Sequence, residues 1–218
     1  MDDINAFFFR KPLETNFFGH IFSEIYKEGA YVDLLEGRKD LTILDIGANV
    51  GITSYYFSQF AKQVYSLEPS SEHFELLSKM VDFNKLTNVK PINKALFTDN
   101  GKFPFGGPDV NRTMRSLHMA VWQDGKPIEE VETITLEKLF EDEKIDHVDF
   151  MKLDIEGSEI EVVSHETFRK VADKIDAMLI ESHSWSGRNQ NQLVEALRKS
   201  GFKVKTLETD AQILVATK

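Results

Sequence analysis

The sequence predicts an α/β fold built on an open, mostly parallel sheet with helices on both faces. Three observations lead to this prediction. Strand patterns alternate with helical patterns along most of the chain, a glycine-rich turn follows the first strand pattern, and the last two strand patterns have no helix between them. Alternating strands and helices form parallel sheets covered on both faces. The last two strands are expected to pair antiparallel at one edge.

The first half of the chain is predicted to supply three strands of this sheet. Apolar residues recur at helical spacing over residues 15–36, and Gly37 ends that pattern. Both helices that follow carry an apolar stripe, which suits packing against a sheet. In order, the predicted elements are strand 41–46, helix 51–61, strand 63–67, a helix capped by Ser70 or Ser71, and strand 88–92.

The second half begins with an interruption. Residues 97–128 are rich in Gly, Pro, Asp and Asn, and Asn100-Gly101 is a hairpin turn signal, so we predict short strands and loops there. The later elements are strand 131–135, helix 136–143, strand 148–154, helix 157–171, strand 177–181, helix 189–200, and the closing strands 202–207 and 212–216. We expect a single domain, residues 1–218, with an N-terminal helical cap (1–39) and a β-rich insertion (97–135).

A cofactor site is predicted at the turn Gly47-Ala48-Asn49-Val50-Gly51, directly after the first strand. Glu68 ends the second strand, 17 residues beyond Gly51, where an acid can accept hydrogen bonds from ribose hydroxyls. A dinucleotide fingerprint needs three glycines, but here Asn49 fills the middle position and the third glycine is missing. The turn therefore favours a cofactor without a diphosphate. S-adenosylmethionine fits, with Asp45 and Glu68 well placed for its cationic and ribose groups.

Two further clusters lie at predicted strand ends, where ligands of open α/β sheets bind. Asp154 ends the fourth core strand and Glu156 lies two residues later, so both are expected to face the bound methyl donor. Glu159 is interpreted as a helix N-terminal acid favoured by the helix dipole. His183 follows the fifth strand and is a candidate proton acceptor near neutral pH. Asp154, Glu156 and Glu181 could gather a divalent ion through oxygen ligands, but no residue is assigned as a metal ligand.

Composition narrows the function classes. Hydrophobic residues make up 41% and charged residues 28% of the chain, and no apolar run approaches the ~20 residues of a membrane span. The absence of cysteine excludes disulfides, Cys-ligated zinc and a thiolate nucleophile. The net charge is −10, and residues 129–161 hold thirteen acids against three lysines, which disfavours a nucleic-acid substrate. The acidic start Met1-Asp2-Asp3 lacks the basic region of a secretory signal, so we expect a cytoplasmic protein.

These motifs together resemble the FkbM family of S-adenosylmethionine-dependent methyltransferases over residues 40–217. The glycine motif alone marks many methyltransferases, and the Asp-x-Glu-Gly-x-Glu segment narrows the match. The matching stretches are Leu44-Asp45-Ile46-Gly47-Ala48-Asn49-Val50-Gly51, Leu67-Glu68-Pro69, Asn93-Lys94-Ala95-Leu96, Thr135-Leu136-Glu137, Met151-Lys152-Leu153-Asp154-Ile155-Glu156-Gly157-Ser158-Glu159, and Glu181 with His183.

The resemblance implies a class I methyltransferase fold, which is Rossmann-like: a three-layer sandwich around a seven-stranded, mostly parallel sheet with an antiparallel last strand. It implies that the glycine turn cradles the methionine end of the cofactor, that Glu68 binds the ribose, and that Ala95 and its neighbours flank the adenine. Many class I enzymes carry an acid after the third strand, where this chain has Lys94-Ala95-Leu96. The predicted cofactor-binding set is Asp45, Gly47, Ala48, Asn49, Gly51, Thr53, Glu68, Pro69, Lys94, Ala95 and Asp154.

The resemblance also implies methyl transfer to a hydroxyl of a sugar or other small natural product. In-line transfer from a sulfonium mainly requires positioning, and an alcohol acceptor must also lose its proton. The catalytic candidates are Asp154, Glu156 and His183, of which His183 is preferred as the base. The alternatives are a methyltransferase acting on RNA or another macromolecule, and an enzyme that binds NAD or a nucleotide sugar on a similar fold. The five other histidines are interpreted as surface or packing residues. No membrane partner is expected, and a homo-oligomer is possible.

Overall fold

The computed structural model of the 218-residue chain describes residues 31–107, 115–117, 128–183, 190–207 and 213–218. A seven-stranded sheet forms its centre. Along the sheet the strands are β3 (Val89–Ile92), β2 (Ala61–Leu67), β1 (Leu41–Ile46), β7 (Phe150–Leu153), β8 (Ala177–Glu181), β10 (Ile213–Thr217) and β9 (Lys203–Thr206). Six of these seven strands run in the same direction, and β10 runs antiparallel to both of its neighbours, β8 and β9.

Helices cover both faces of this sheet. They are α1 (Val32–Leu35), α2 (Ile52–Phe57), α3 (Ser71–Phe83), α4 (Leu136–Glu143), α5 (Glu159–Ser164), α6 (Glu166–Arg169) and α7 (Gln190–Lys199), with a 3₁₀ turn at Ala172–Lys174. Strand β1 is buried along its whole length because it has a helical layer on each side. Ile43 packs with α2 and α3 in one apolar cluster, and Leu44 packs with α4, α5 and α7 in the other. The result is the expected three-layer arrangement.

A second, smaller sheet carries part of the predicted insertion. Its strands are β4 (Ala95–Leu96), β5 (Gly101–Phe105) and β6 (Glu129–Ile134), in the order β4-β6-β5. The hairpin predicted at Asn100-Gly101 is wrong, because the strands on either side of it both pair with β6. The Asn100 side chain instead accepts a hydrogen bond of 3.0 Å from the backbone N–H of Thr135. Asn100 thus ties the small sheet to the start of α4.

Most predicted elements are present with ends shifted by one or two residues, but two helices differ. The helix predicted over 157–171 is broken at His165, which is extended and caps α6 through its ring nitrogen. The helix predicted over 51–61 ends at Phe57, and β2 begins early, at Ala61. Ser70 is the cap of α3, as predicted. The helix predicted over 15–36 lies outside the described residues except for its end, where α1 is found.

Candidate active site

Two adjoining cavities open at the carboxyl ends of the central strands. The first is walled by the turn after β1, by Glu68 and Pro69 after β2, and by Asp154 and Glu156 after β7. The second is lined by Tyr31, Thr53, Lys152 and Glu181 among others. The two cavities share Gly47, Asn49 and Asp154 as wall residues. An elongated ligand can therefore lie across the turn with one end in each cavity.

The glycine turn is fixed by hydrogen bonds to the neighbouring strand. The backbone N–H groups of Gly47 and Ala48 both donate to the Leu67 carbonyl, at 3.0 and 2.9 Å. Asn49 takes the left-handed conformation predicted for it, with φ of 52°. Among the described residues its buried Oδ1 atom has no hydrogen-bond partner. A buried acceptor without a donor is costly, so this atom is suited to a donor group on a ligand.

Two glycines of the turn lie close to neighbouring elements, Gly47 to backbone and Gly51 to the ends of two side chains. A Cβ atom on Gly47 would lie 1.8 Å from the Asp154 carbonyl oxygen, and one on Gly51 would lie 2.4 Å from Met80 and 2.6 Å from Leu77. Both glycines have positive φ, 78° and 93°. Gly47 lets the β7 end approach the turn, and Gly51 lets α3 approach it.

Glu68 is buried, and both of its carboxylate oxygens are held by backbone N–H groups. Oε2 accepts from Asn49 at 2.9 Å and Oε1 accepts from Ser70 at 2.9 Å. Burial raises the pKa of Glu68 to about 7, against the opposing effect of these two N–H groups. His73 Nδ1 lies 3.8 Å from Oε1, and His73 also lines the first cavity, which the sequence-based interpretation of His73 as a surface or packing residue missed.

Asp45 has no solvent exposure, and its hydrogen-bond partners are other side chains of the protein. Its Oδ2 atom accepts hydrogen bonds from Thr53 Oγ1 at 2.7 Å and from Ser54 Oγ at 2.6 Å. Burial raises the pKa of Asp45, opposed first by the charge of Lys152. Thr53 does line the second cavity, but its hydroxyl is donated to Asp45. In this structure these two members of the predicted cofactor-binding set join the turn to α2.

Lys152 is a buried residue of the site to which the sequence analysis gave no role. Its Nζ atom donates to the Gly47 carbonyl and to Asp154 Oδ2, both at 3.0 Å, and lies 3.9 Å from Asp45 Oδ1. Asp45 and Lys152 are direct partners in the pairing of β1 with β7. Burial opposes the charge of Lys152, but Asp154 and Asp45 outweigh it and raise the pKa of the lysine. The sequence feature that could have indicated this role is a lysine inside an otherwise apolar strand pattern.

His183 lies at the centre of four carboxylates. Its Nδ1 atom is 3.0 Å from Glu159 Oε1, and its Nε2 atom is 3.4 Å from Glu156, 3.8 Å from Glu181 and 3.9 Å from Asp154. The segment after β7, residues 154–159, and the end of β8 thus converge on one imidazole. The predicted catalytic trio of Asp154, Glu156 and His183 is brought together.

This environment changes the expected chemistry of His183. Burial lowers its pKa, but the hydrogen bond to Glu159 and the charges of Glu159, Glu156 and Asp154 outweigh burial and raise the pKa to about 10. The expectation of a pKa near neutrality is therefore wrong: at pH 7 the ring is an imidazolium. Burial and the Asp154 charge raise the pKa of Glu156 to about 8, opposed by His183.

Glu159 connects this cluster to the turn after β7. It is the first residue of α5, as expected for a helix N-terminal acid, and its Oε1 atom accepts from the backbone N–H groups of Ile155 and Gly157, each at 3.1 Å. Glu156 lies inside that turn with φ of 54°, a conformation that costs energy for a residue with a side chain. Glu159 therefore fixes the backbone that presents Glu156 and also anchors His183.

One ligand atom from each of Asp154, Glu156 and His183 lies within 4.8 Å of the others. This spacing suits a divalent cation geometrically. The protonated His183 ring already supplies a positive charge among these carboxylates. An ion cluster of carboxylates around an imidazolium explains the arrangement without a metal ion, and metal binding here stays a prediction.

The outer part of the first cavity is formed by Pro69, Lys94 and Ala95, as predicted, and by residues that were not predicted. The unpredicted ones are His73, Leu96, Phe105, Arg115, Leu117, Ile155 and Ser158. Arg115 and Leu117 come from a segment with no recognisable motif, so only the folded chain places them here. Asn93 donates to the carbonyls of Glu68 and Pro69, at 2.9 and 3.0 Å, which fixes this wall.

The strand order, the single reversed strand β10 and a glycine turn beside a buried acid define a class I methyltransferase fold. The family model of the methyltransferase FkbM domain matches residues 45–204, and the chain belongs to this FkbM methyltransferase family. Methyltransferase sdnD of Sordaria araneosa is 25% identical over 173 residues, 66% of each chain. This chain therefore spans slightly less than two thirds of that relative's length.

Solved structures show the same fold. The methyltransferase FkbM of Methylobacillus flagellatus matches with a TM-score of 0.60 and 14% identity, over 90% of this chain and 48% of that one, so this chain spans about half its length. A putative methyltransferase of Streptococcus mutans in complex with SAH matches with a TM-score of 0.53 and 8% identity, over 89% and 97%. A SAM-dependent methyltransferase of Aquifex aeolicus matches with a TM-score of 0.51 and 12% identity, over 89% of this chain and 90% of that one. None of the described helices is of a length and apolarity to cross a membrane.

Proposed function

We propose that this methyltransferase takes its methyl group from S-adenosylmethionine and transfers it to a hydroxyl of a sugar or other small natural product. The observation that carries the proposal is the pairing of Glu68 with the glycine turn across one cavity. Glu68 is 5% exposed, and its oxygens are oriented by two backbone N–H groups. When bound, S-adenosylmethionine supplies an electrophilic methyl group on a sulfonium.

The residues of the site fit such a donor. Asn49 Oδ1, buried and without a partner among the described residues, can accept a hydrogen bond from the α-amino group. Glu68 can accept hydrogen bonds from ribose hydroxyls with its remaining lone pairs. Pro69 and Ala95 offer apolar surface to the base. Asp45 and Thr53 support the turn from below, so we assign them positioning roles rather than direct contact.

The acceptor is proposed to enter through the second cavity. Asp154 is shared by both cavities, and Glu181 lines the second one, so carboxylates surround the point where an acceptor hydroxyl would meet the donor. Carboxylates accept hydrogen bonds from hydroxyl groups and repel phosphates. This supports a neutral or cationic hydroxyl compound over RNA.

The proton of the hydroxyl is proposed to leave toward Asp154 rather than His183. Because the pKa of His183 is raised to about 10, the ring already holds two protons near pH 7 and can only donate. Asp154 lines both cavities, and its Oδ2 atom accepts a hydrogen bond of 3.0 Å from Lys152 Nζ, which orients the carboxylate. His183 instead keeps Glu156 and Asp154 in place at 3.4 and 3.9 Å.

The donor is tested by calorimetric titration with S-adenosylhomocysteine, with NAD as the comparator. We expect micromolar binding of S-adenosylhomocysteine alone, weakened at least tenfold by Glu68→Ala. Glu195→Ala is the matched control, since Glu195 is an exposed acid on α7. Tighter binding of NAD would replace the proposal with a nucleotide-binding enzyme, and salt-sensitive RNA binding would point to a nucleic-acid methyltransferase.

The acceptor is tested with methyl-labelled S-adenosylmethionine and a panel of sugars and polyketide alcohols. On an accepted substrate, Asp154→Asn is expected to lower kcat by about a hundredfold or more, and His183→Gln by roughly tenfold. A rate that rises toward pH 10 in the parent protein, and loses that rise in His183→Gln, would restore His183 as the base. Activity that disappears with a chelator and returns with Mg²⁺ would establish the metal.

A further inference from the structure

The cavity beyond Glu68 has a cationic wall that the proposed function leaves unused. Arg115 and Lys94 both line this part of the cavity. The Arg115 side chain is only 8% exposed. Its neighbour Ser116 is joined to Gly106, next to β5, by two backbone hydrogen bonds of 2.9 and 3.2 Å. The insertion therefore delivers a buried guanidinium to the donor cavity.

Arg115 is tied to the same network that holds Glu68. One guanidinium nitrogen donates to Ser70 Oγ at 2.9 Å and the other donates to Glu72 at 3.0 Å. Ser70 in turn donates its backbone N–H to Glu68. The remaining donor, Arg115 Nε, is buried and has no hydrogen-bond partner within the described part of the chain. A buried cationic donor without an acceptor carries a large desolvation cost, which a ligand acceptor would remove.

The position of this wall indicates which part of a ligand it meets. Asp154 and the turn at Gly47 and Asn49 adjoin the second cavity, so the methionine end and the acceptor lie on that side of Glu68. The opposite end is bounded by the apolar side chains of Leu96, Phe105 and Leu117. Apolar and aromatic walls with a few polar groups are typical of the binding site of a flat ring.

We propose that Arg115, supported by Lys94, binds the purine base of the donor through N3 or N7, the ring nitrogens that are acceptors in both 6-amino and 6-oxo purines. This inference rests on the proposed function, in which a nucleoside-bearing donor fills the cavity. Among the described residues lining this end, from Pro69 to Leu117, there is no acidic side chain. The described part of the wall therefore donates hydrogen bonds to the base and offers no carboxylate of its own to accept them from a 6-amino group. A 6-oxo purine, which presents an acceptor at that position, is tolerated.

The experiment is calorimetric titration of the full chain with S-adenosylhomocysteine, with its 6-oxo analogue S-inosylhomocysteine, and with analogues in which one ring nitrogen is replaced by CH. The variants are Arg115→Met and Arg115→Lys, with Arg198→Met as the matched control because Arg198 is exposed on α7. The thermal midpoint of each variant is measured first. If Arg115→Met does not fold, Arg115→Lys, which keeps the charge but loses the planar fork, takes its place.

The inference expects the 6-oxo analogue to bind within about threefold of S-adenosylhomocysteine. It expects one CH analogue to bind roughly tenfold more weakly to the parent protein, the usual size of a lost hydrogen bond to a charged group. That difference in affinity should disappear in the Arg115 variant and persist in Arg198→Met. Changing the ligand atom and the residue together, as in a double-mutant cycle, separates a direct contact between them from a general loss of binding.

Two results would overturn the inference while leaving the proposed function intact. One is at least tenfold weaker binding of the 6-oxo analogue. The other is a ring-nitrogen preference that is absent from the parent protein or unchanged in the Arg115 variant. Failure of S-adenosylhomocysteine itself to bind the parent protein would overturn the proposed function and, with it, this inference.

Discussion

The Cα atom of Gly47 packs directly against the carbonyl group of Asp154, where a Cβ atom would lie 1.8 Å from the oxygen. This contact joins the turn after β1 to the turn after β7, and Lys152 closes it from the side by donating to the Gly47 carbonyl and the Asp154 carboxylate. The walls of the two cavities are thus joined to each other by direct contacts. A change at either residue is expected to move the site as a whole.

Gly47→Ala is expected to destabilise the protein by about 3 kcal/mol or more, because backbone atoms cannot yield to the new methyl group. Gly37→Ala is the matched control: Gly37 has a φ of 76° and no atom of the described residues within 4 Å of a new Cβ atom, so it reports left-handed strain, about 1–2 kcal/mol. Urea denaturation measures both. Equal losses in the two variants would mean that the close contact at Gly47 has no energetic consequence.

Lys152→Met is expected to cost about 3–5 kcal/mol, because it leaves Asp45 and Asp154 without their shared cation in a buried site. Lys90→Met serves as the control, since Lys90 is 53% exposed and its ion pair with Glu143 is worth about 0–1 kcal/mol. Denaturant unfolding gives both values. The double variant Asp45→Asn/Lys152→Met should recover part of the loss, and a strictly additive double variant would show that the two residues do not interact.

The affinity for S-adenosylhomocysteine is expected to increase between pH 6 and pH 8. The pKa of Glu68 is about 7, and the ionised carboxylate is the better acceptor for ribose hydroxyls. Below that pKa the dissociation constant should change by up to about tenfold per pH unit. Calorimetry at several pH values measures this. Glu68→Gln should flatten the dependence, and the same slope in that variant would assign the proton to another group.

Glu68 is also expected to make the free energy of unfolding depend on pH. Its folded pKa of about 7 is above its ordinary value of 4.5, so the folded state holds the proton more tightly. The free energy of unfolding contributed by this group therefore falls as pH rises from about 4.5 to about 7. The difference in stability between the parent protein and Glu68→Gln should follow that window in urea titrations.

NMR titration of the imidazole signals is expected to show His183 protonated well above neutral pH, with a pKa of about 10 that falls in Glu159→Gln. Glu195→Gln, an exposed change on α7, should leave it unaltered. Because the folded pKa lies above the ordinary value of 6.5, the stabilisation from His183 is complete below about pH 6.5 and is lost as pH rises through 10. An ordinary pKa in the parent protein would contradict the described cluster.

Local sequence patterns were sufficient to predict most of the sheet and the outline of the donor site. The alternation of strands and helices, the turn at residues 47–51 and the acid at Glu68 each occupy a short stretch, and their spacing carries the information. Predictions failed where a neighbour in space outweighed the local signal. His165 breaks a helical pattern by capping α6, and Asn100 bonds to Thr135 instead of forming a hairpin.

Tertiary structure alone decided the chemistry of individual groups. Lys152 appears in the sequence as one lysine in an apolar strand, but pairing of β1 with β7 places it between Asp45 and Asp154. His183 is an ordinary loop histidine in sequence, and Glu159, Glu156 and Asp154, all from the segment after β7, raise its pKa. Arg115 reaches the cavity only in the folded chain, where the neighbouring Ser116 is joined to Gly106 next to β5. The physical reason is that pKa values and pocket walls depend on distances between residues far apart in the chain, which spacing along the sequence does not fix.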